Sequence, residues 1–142
     1  MRSAEITDIE SIMMLEKGAI DHPWQEDAIR ALIESPCKLA LVETADNGDL
    51  TGYIGCEWVI DEANIGNLAV RPDSRRKGIG RRLLKELEIR LKKEGITVIF
   101  LEVRYDNEPA LSLYESSGYE VYNRRRDYYG EGKDALLMKK LI

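Results

Sequence analysis

The chain has 142 residues, with 44% hydrophobic and 33% charged side chains and a formal net charge of −5. That is the composition of a globular chain long enough to bury a core as one domain, and its acidity argues against a general nucleic-acid binder. No stretch approaches the about 18 consecutive apolar residues of a membrane span, and Met1-Arg2-Ser3-Ala4-Glu5 enters charged sequence with no signal-peptide core.

In chain order, Met1 to Ile6 reads as a short strand, and Thr7-Asp8-Ile9-Glu10 as a capping box with Thr7 at the N-cap and Glu10 reaching back. Ile9, Ile12, Met13 and Ile20 recur at helical spacing. His22-Pro23-Trp24 breaks the chain, with His22 a loop residue, and Ala28, Ile29, Leu32 and Ile33 mark a second helix that Ser35-Pro36 ends. Lys38 to Thr44, Leu50 to Ile60 and Ala63 to Val70 are strands, the first two joined by the hairpin signal Asp46-Asn47-Gly48. Ile79, Leu83, Leu84, Leu87 and Leu91 make an amphipathic helix that stops at Gly95. Ile96 to Arg104 is an apolar strand; Asn107 then N-caps a helix with Pro109 in its first turn and Gly118 at its end. Tyr119 to Arg126 and Asp134 to Leu141 are the last strands. The order β-α-α-β-β-β-α-β-α-β-β predicts an α/β fold with a mixed central sheet and helices on both faces. Hairpins give antiparallel neighbours, and the strand–helix–strand steps around the two central helices give parallel ones.

Chemistry concentrates where Asn67-Leu68-Ala69-Val70 is followed by Arg75-Arg76-Lys77-Gly78-Ile79-Gly80-Arg81. The first turn of a helix carries N–H groups without intrahelical partners, and the helix dipole adds partial positive charge, so a strand, a basic glycine turn and a helix suit a phosphate. Gly78 and Gly80 let backbone approach it closely. The Walker A spacing is absent, and Leu83 stands where the dinucleotide fingerprint needs its third glycine. The purely structural reading is a surface helix with a solvated basic run. A second basic cluster is Arg124-Arg125-Arg126; local cationic patches on an acidic chain suit a small polyanion. Cys37 and Cys56 lack disulfide or metal spacing and are read as small buried hydrophobes in a reducing cytoplasm, with no metal site.

Glu102 interrupts the apolar strand, on one face with Val98 and Phe100. It is either a strand-end carboxylate paired with Arg104 or solvated, or a general base whose pKa partial burial raises. Tyr114, at i+3 from Leu111, reads as a core aromatic with its hydroxyl at the edge.

The turn Arg75-x-x-Gly78-x-Gly80 resembles the acyl-CoA signature of the GCN5-related N-acetyltransferases, the GNAT family. Asn107-Glu108-Pro109-Ala110-Leu111-Ser112-Leu113-Tyr114-Glu115-Ser116-Ser117-Gly118-Tyr119 resembles that family's later motif. Leu101-Glu102-Val103-Arg104, Tyr114-Glu115-Ser116, the tail Arg125-Arg126-Asp127-Tyr128-Tyr129 with Asp134-Ala135, and Pro23-Trp24 are similar to the RimI-type branch, which acetylates the N-terminal alanine of a small-subunit ribosomal protein. The likeness covers essentially the whole chain and implies a GNAT fold with acetyl-CoA as cosubstrate. It implies that Leu68, Ala69 and Val70 offer backbone groups to the pantetheine arm and acetyl group, that Arg75, Arg76, Lys77, Gly78, Ile79, Gly80 and Arg81 surround the pyrophosphate, and that Asn107 contacts the cofactor. It further implies Glu102 as the base that takes the amine proton through water, and Tyr114 as the acid that protonates the thiolate. Arg75 replaces a frequent Gln; it keeps a donor and adds charge. The partner implied is a protein N-terminus, a ribosomal protein's, with no direct nucleic-acid or membrane contact.

Acetyl transfer needs a neutral amine, and an α-amine (pKa about 7.7–8.0) is neutral at pH 7 roughly 300-fold more often than a lysine (about 10.4). A single carboxylate base then has a modest task. Two rival readings stay open: a GNAT enzyme acting on a polyamine, aminoglycoside or amino acid, and a non-catalytic acyl-CoA-binding module.

Overall fold

The computed structural model describes residues 1–19 and 23–142. Eleven regular elements follow in the order β1 (Arg2–Ser3), α1 (Ile9–Ala19), α2 (Glu26–Glu34), β2 (Lys38–Thr44), β3 (Leu50–Val59), β4 (Glu62–Val70), α3 (Ile79–Lys93), β5 (Val98–Arg104), α4 (Glu108–Ser116), β6 (Glu120–Arg125) and β7 (Ala135–Leu141). The strands form one sheet in the order β1-β2-β3-β4-β5-β7-β6. Every neighbouring pair is antiparallel except β4 and β5, which α3 connects. No helix among the described residues is long and apolar enough to cross a membrane.

Two cores lie on opposite faces of this sheet. On the front, Ile9, Ile12 and Leu15 of α1 and Ile29 and Leu32 of α2 pack on Ala40, Val42, Tyr53 and Ala69. On the back, Leu83, Leu84, Leu87 and Leu91 of α3 and Tyr114 of α4 pack on Ile54, Ile99, Leu101, Val103 and Met138. The α3 stripe is the one read from its leucine spacing, and its end is closed at Gly95, whose φ of +85° suits a residue without a side chain.

Five readings need correction. The N-terminal strand spans only Arg2–Ser3, because Ile6–Asp8 turns into a 3-10 helix. The capping contact there is Asp8 accepting from the Glu5 N–H at 2.8 Å, with Arg2 holding the same carboxylate at 2.7 and 3.0 Å, rather than Thr7 with Glu10. The strand–helix–strand step around α4 does not make β5 and β6 neighbours: β7 lies between them. Composition explains this, since Ala135, Leu137 and Met138 of β7 are buried while every residue of β6 is exposed, so the polar strand takes the edge. Cys56 is buried as expected, but Cys37 is exposed, held at φ +61° in the turn after Pro36. β5 begins at Val98 rather than Ile96, because the Ile96 N–H closes the end of α3 on Leu91 and the Thr97 N–H bonds Asp61. The readings of Ile20 as a helical position and His22 as a loop residue fall outside the described residues.

Candidate active site

The parallel pair β4/β5 is in register only from Glu62↔Val98 to Ile65↔Leu101. At Gly66 the β3/β4 ladder shifts by a bulge, with Gly55 facing Asn67 and Cys56 facing Ile65. A Cβ on Gly66 would meet the Trp24 ring at 2.8 Å, so only glycine lets that ring close over the bulge. Beyond it the two strands part, and the β5-facing edge of β4 over Leu68, Ala69 and Val70 has no strand partner among the described residues. Their side chains are fixed meanwhile: Ala69 joins the front core, and Leu68 and Val70 pack at the back.

The start of α3 stands at the end of β4. Gly78 is its N-cap at φ +76° and ψ 13°, a left-handed conformation, and no side chain caps this end. Arg76 shares the left-handed region at φ +64°. Gly78, Arg76 and Lys77 are exposed and Ile79 is buried, so the turn offers N–H donors and cations to solvent from a helix anchored by its first apolar residue. Gly80 serves packing as well as approach. A Cβ there would lie 3.1 Å from Leu113 of α4, so this glycine sets how closely α3 and α4 meet. The cations divide in two: Arg82 forks onto Glu43 at 2.8 and 3.1 Å, Arg71 pairs with Asp73, Arg81 donates to Ser116 at 2.7 Å, and Arg75 reaches back to the Val70 carbonyl at 3.4 Å. Arg76 and Lys77 form no ion pair among the described residues. This turn fits a pyrophosphate: unfilled donors, two uncommitted cations, and no carboxylate at the helix start.

Asn107 caps α4 with its own side chain, Oδ1 accepting from the Ala110 N–H at 3.2 Å, which leaves its amide donors for other use.

Glu102 projects from β5 on the front face and keeps 34% of its side chain exposed, a partial burial. Arg125 of β6 stands 3.6 Å away, and Arg104 pairs with Asp106 at 2.6 Å. The Tyr128 phenol is held above its ordinary pKa first by its hydrogen bond to Glu102. Tyr129 is raised first by burial and then by Glu102, and packs edge-on to Tyr128 with centroids 5.0 Å apart. The β6–β7 loop therefore folds its two phenols over the carboxylate. Beneath lies a cavity of about 240 Å³ with Asn64, Phe100, Tyr122 and Leu137 in its walls.

Tyr114 comes from the other side. Its ring is buried in the back core, edge-on to Tyr119 at 5.8 Å. Burial, and then Tyr129, push its phenol above its ordinary value. Its hydroxyl makes no hydrogen bond among the described residues. Tyr129 thus lies within electrostatic reach of both Glu102 and Tyr114.

Sequence reading missed the wholly buried pair Glu16 and Tyr53, joined by the half-buried Asn67 side chain beside the exposed Gly66 of the bulge. The signal was available in α1: Glu16 lies four residues after Ile12, on the apolar stripe.

The profile of the acetyltransferase (GNAT) family matches residues 6–119. The [ribosomal protein bS18]-alanine N-acetyltransferase of Escherichia coli (strain K12) is 35% identical over 139 residues, covering 96% of this chain and 93% of that protein. A putative [ribosomal protein bS18]-alanine N-acetyltransferase of Bacillus subtilis (strain 168) is 34% identical, covering 97% and 92%. The crystal structure of the ribosomal-protein-S18-alanine N-acetyltransferase from Escherichia coli superposes with a TM-score of 0.89 over 99% of this chain and 91% of that one.

Proposed function

The chain belongs to the acetyltransferase (GNAT) family and is an acetyl-CoA-dependent N-acetyltransferase, and on that premise we propose that its acceptor is the N-terminal α-amine of a protein, an alanine of a small-subunit ribosomal protein. The observation that carries this reading is the cleft itself. The parted edge of β4 lies on one side, Glu102 under the Tyr128–Tyr129 loop lies on the other, and the cleft opens onto an uncovered sheet face where an extended chain can lie.

Acetyl-CoA supplies an activated thioester. In this reading the α3 start and the side chains of Arg76 and Lys77 hold its pyrophosphate, with Arg75, Ile79, Gly80 and Arg81 shaping the turn and Asn107 donating from the start of α4. Backbone groups of Leu68, Ala69 and Val70 on the unpaired edge orient the acetyl group and donate to its oxygen as charge develops there. Glu102 takes the amine proton through water, and Arg125 and Tyr128 orient that carboxylate. The Tyr114 phenol, raised by burial, is fully protonated at neutral pH, so its hydrogen is in place when the thiolate departs. A thiol ordinarily ionises near about 8.5, below this phenol, so complete transfer is uphill and Tyr114 first acts as a hydrogen-bond donor to sulfur. No side-chain nucleophile is needed, because a neutral amine attacks the thioester directly, and the low pKa of an α-amine makes one carboxylate base sufficient.

The test is CoA release with a panel of acceptors: an Ala-initiated peptide of a small-subunit ribosomal protein, the same peptide with a blocked N-terminus and an internal lysine, a polyamine and an aminoglycoside. The free α-amine peptide should have the highest kcat/KM. A higher value for the polyamine or aminoglycoside would overturn the acceptor assignment.

A further inference from the structure

Glu16 of α1 is wholly buried, yet among the described residues no cation pairs with it. Its carboxylate accepts hydrogen bonds from three other parts of the chain: the Tyr53 hydroxyl on β3, the Asn67 side-chain amide on β4 at 2.5 Å, and the Trp24 backbone N–H in the turn before α2. A buried carboxylate is costly unless its lone pairs are met, and three donors meet these. An apolar side chain would fill the α1 stripe at less cost, so packing alone does not explain an acid here.

The placement of the three donors does. Asn67 directly precedes Leu68, the first residue of the unpaired β4 edge. Tyr53 is the register partner of Ala69, in the middle of that edge. Trp24 both donates to Glu16 and lays its ring over Gly66, at the bulge where β4 turns away from β5. One carboxylate thus ties the Trp24 turn to the strand segment that faces the cleft. Since α1 and α2 cover the front of β2 to β4, Trp24 stands on the β4 side of the cleft, at the bulge where β4 leaves β5.

We propose that Glu16 is a positioning residue for the acceptor: it holds the Trp24 turn at a fixed distance from the acetyl-receiving edge, and so sets the width of the cleft the amine enters. This rests on the acceptor reading above. The pyrophosphate turn lies at the far end of β4 and forms no hydrogen bond with this cluster among the described residues, so acetyl-CoA affinity should depend on it little.

The experiment measures acceptor KM, acetyl-CoA Kd by calorimetry and melting temperature for wild type and four variants, with the Ala-initiated peptide as acceptor. Glu16→Gln keeps the shape but sets an NH2 against donors; acceptor KM should rise about tenfold with acetyl-CoA Kd within about twofold. Asn67→Asp places two carboxylates face to face and should be worse. The double variant Glu16→Gln/Asn67→Asp exchanges donor and acceptor between the two side chains and should recover most of the acceptor KM. Tyr53→Phe, which removes one donor and keeps the ring, should fold even if Glu16→Gln does not, and should raise acceptor KM about threefold. Unchanged acceptor KM in the folded variants, no recovery in the double variant, or losses shared equally by acetyl-CoA Kd and melting temperature would each overturn the proposal. A wild-type enzyme that does not turn over the peptide would sink the acceptor reading and this proposal with it; a wild type that does, with indifferent variants, sinks only the role of Glu16.

Discussion

The two halves of the sheet are covered unequally. Over β2, β3 and β4 both faces are closed, by α1 and α2 in front and α3 behind, and Leu41, Val42, Tyr53 and Ile54 are completely buried. Over β5, β7 and β6 the packed core lies at the back, and on the front only the part beside Glu102, at Leu137, is buried. The front leaves Tyr122 46% and Leu141 76% exposed, and β6 buries no residue. The seam between the halves is the only parallel pair among the described residues, and it parts after four register positions. The closed half can hold a backbone edge still, as reading a thioester requires. The open half can receive an extended chain without first displacing a helix.

The largest expected contrast is in stability. Leu83 is fully buried in the N-terminal half of α3 and lies 3.1 Å from where a Cβ of Gly52 would stand. Leu83→Ala should lose about 3 kcal/mol, transfer and cavity together. Tyr122→Ala on the open face, which forfeits an edge-on contact with Phe100, should lose under about 1 kcal/mol. Urea unfolding midpoints measure both, and equal losses would break the comparison.

Activity should show the reverse pattern. Because the Tyr114 hydroxyl makes no hydrogen bond among the described residues, Tyr114→Phe deletes nothing the fold uses, and its melting temperature should stay close to wild type. If the hydroxyl serves the leaving sulfur, kcat should fall about 100-fold in a single-turnover assay where chemistry limits. A kcat within twofold of wild type would leave Tyr114 as core packing alone.

Glu102 should show a smaller, pH-dependent loss. Glu102→Gln keeps the shape beside Arg125 and Tyr128 and removes the basicity. Its kcat/KM should fall about tenfold at pH 6.5 and recover partly by pH 8.5, as the substrate amine loses its own proton. Parallel pH profiles for variant and wild type would assign the carboxylate a structural part only.

How much of this was legible in the sequence follows from the same contrast. Periodicity marked α3 and the strands, because a two-sided core leaves a clean apolar stripe, and the glycine turn was visible because left-handed backbone at Gly78 restricts residue choice. Glu102 and Tyr114 were found as polar groups in apolar settings. Glu16 followed the same rule and was passed over: its donors come from β3, β4 and a distant turn, and no local spacing announces them. The insertion of β7 between β5 and β6 was likewise hidden, since both strands alternate and only their relative burial decides which takes the edge. The Glu5–Asp8 cap displaced the Thr7 reading through Arg2, a partner that spacing within the turn does not reveal.

The smallest effect expected is an alkaline loss of stability centred in the closed half. Burial pushes the Cys56 thiol up to about 12 from an ordinary 9.0, while an unfolded chain ionises it near the ordinary value. Between those two values the unfolded chain has released a proton that the folded chain retains. The folded state binds more protons, so stability is full below about pH 9 and falls as pH rises, by at most about 1.4 kcal/mol per unit for one group. Tyr53, Tyr114 and Tyr119, each raised first by burial, add to the slope from about pH 10 upward, where unfolded phenols ionise. Tyr128 is raised too, but it is exposed on the open half and held by Glu102 rather than by burial, so solvent screens its share. Urea midpoints at pH 8, 9 and 10 should therefore decline in wild type, decline less steeply between pH 9 and 10 in Cys56→Ala, and decline as in wild type in Tyr128→Phe. Slopes are compared rather than absolute values, because Cys56→Ala also opens a small cavity. A Cys56→Ala slope equal to that of wild type would mean that the buried thiol ionises in the folded protein as easily as in the unfolded one, and that the closed half is less dry than its packing implies.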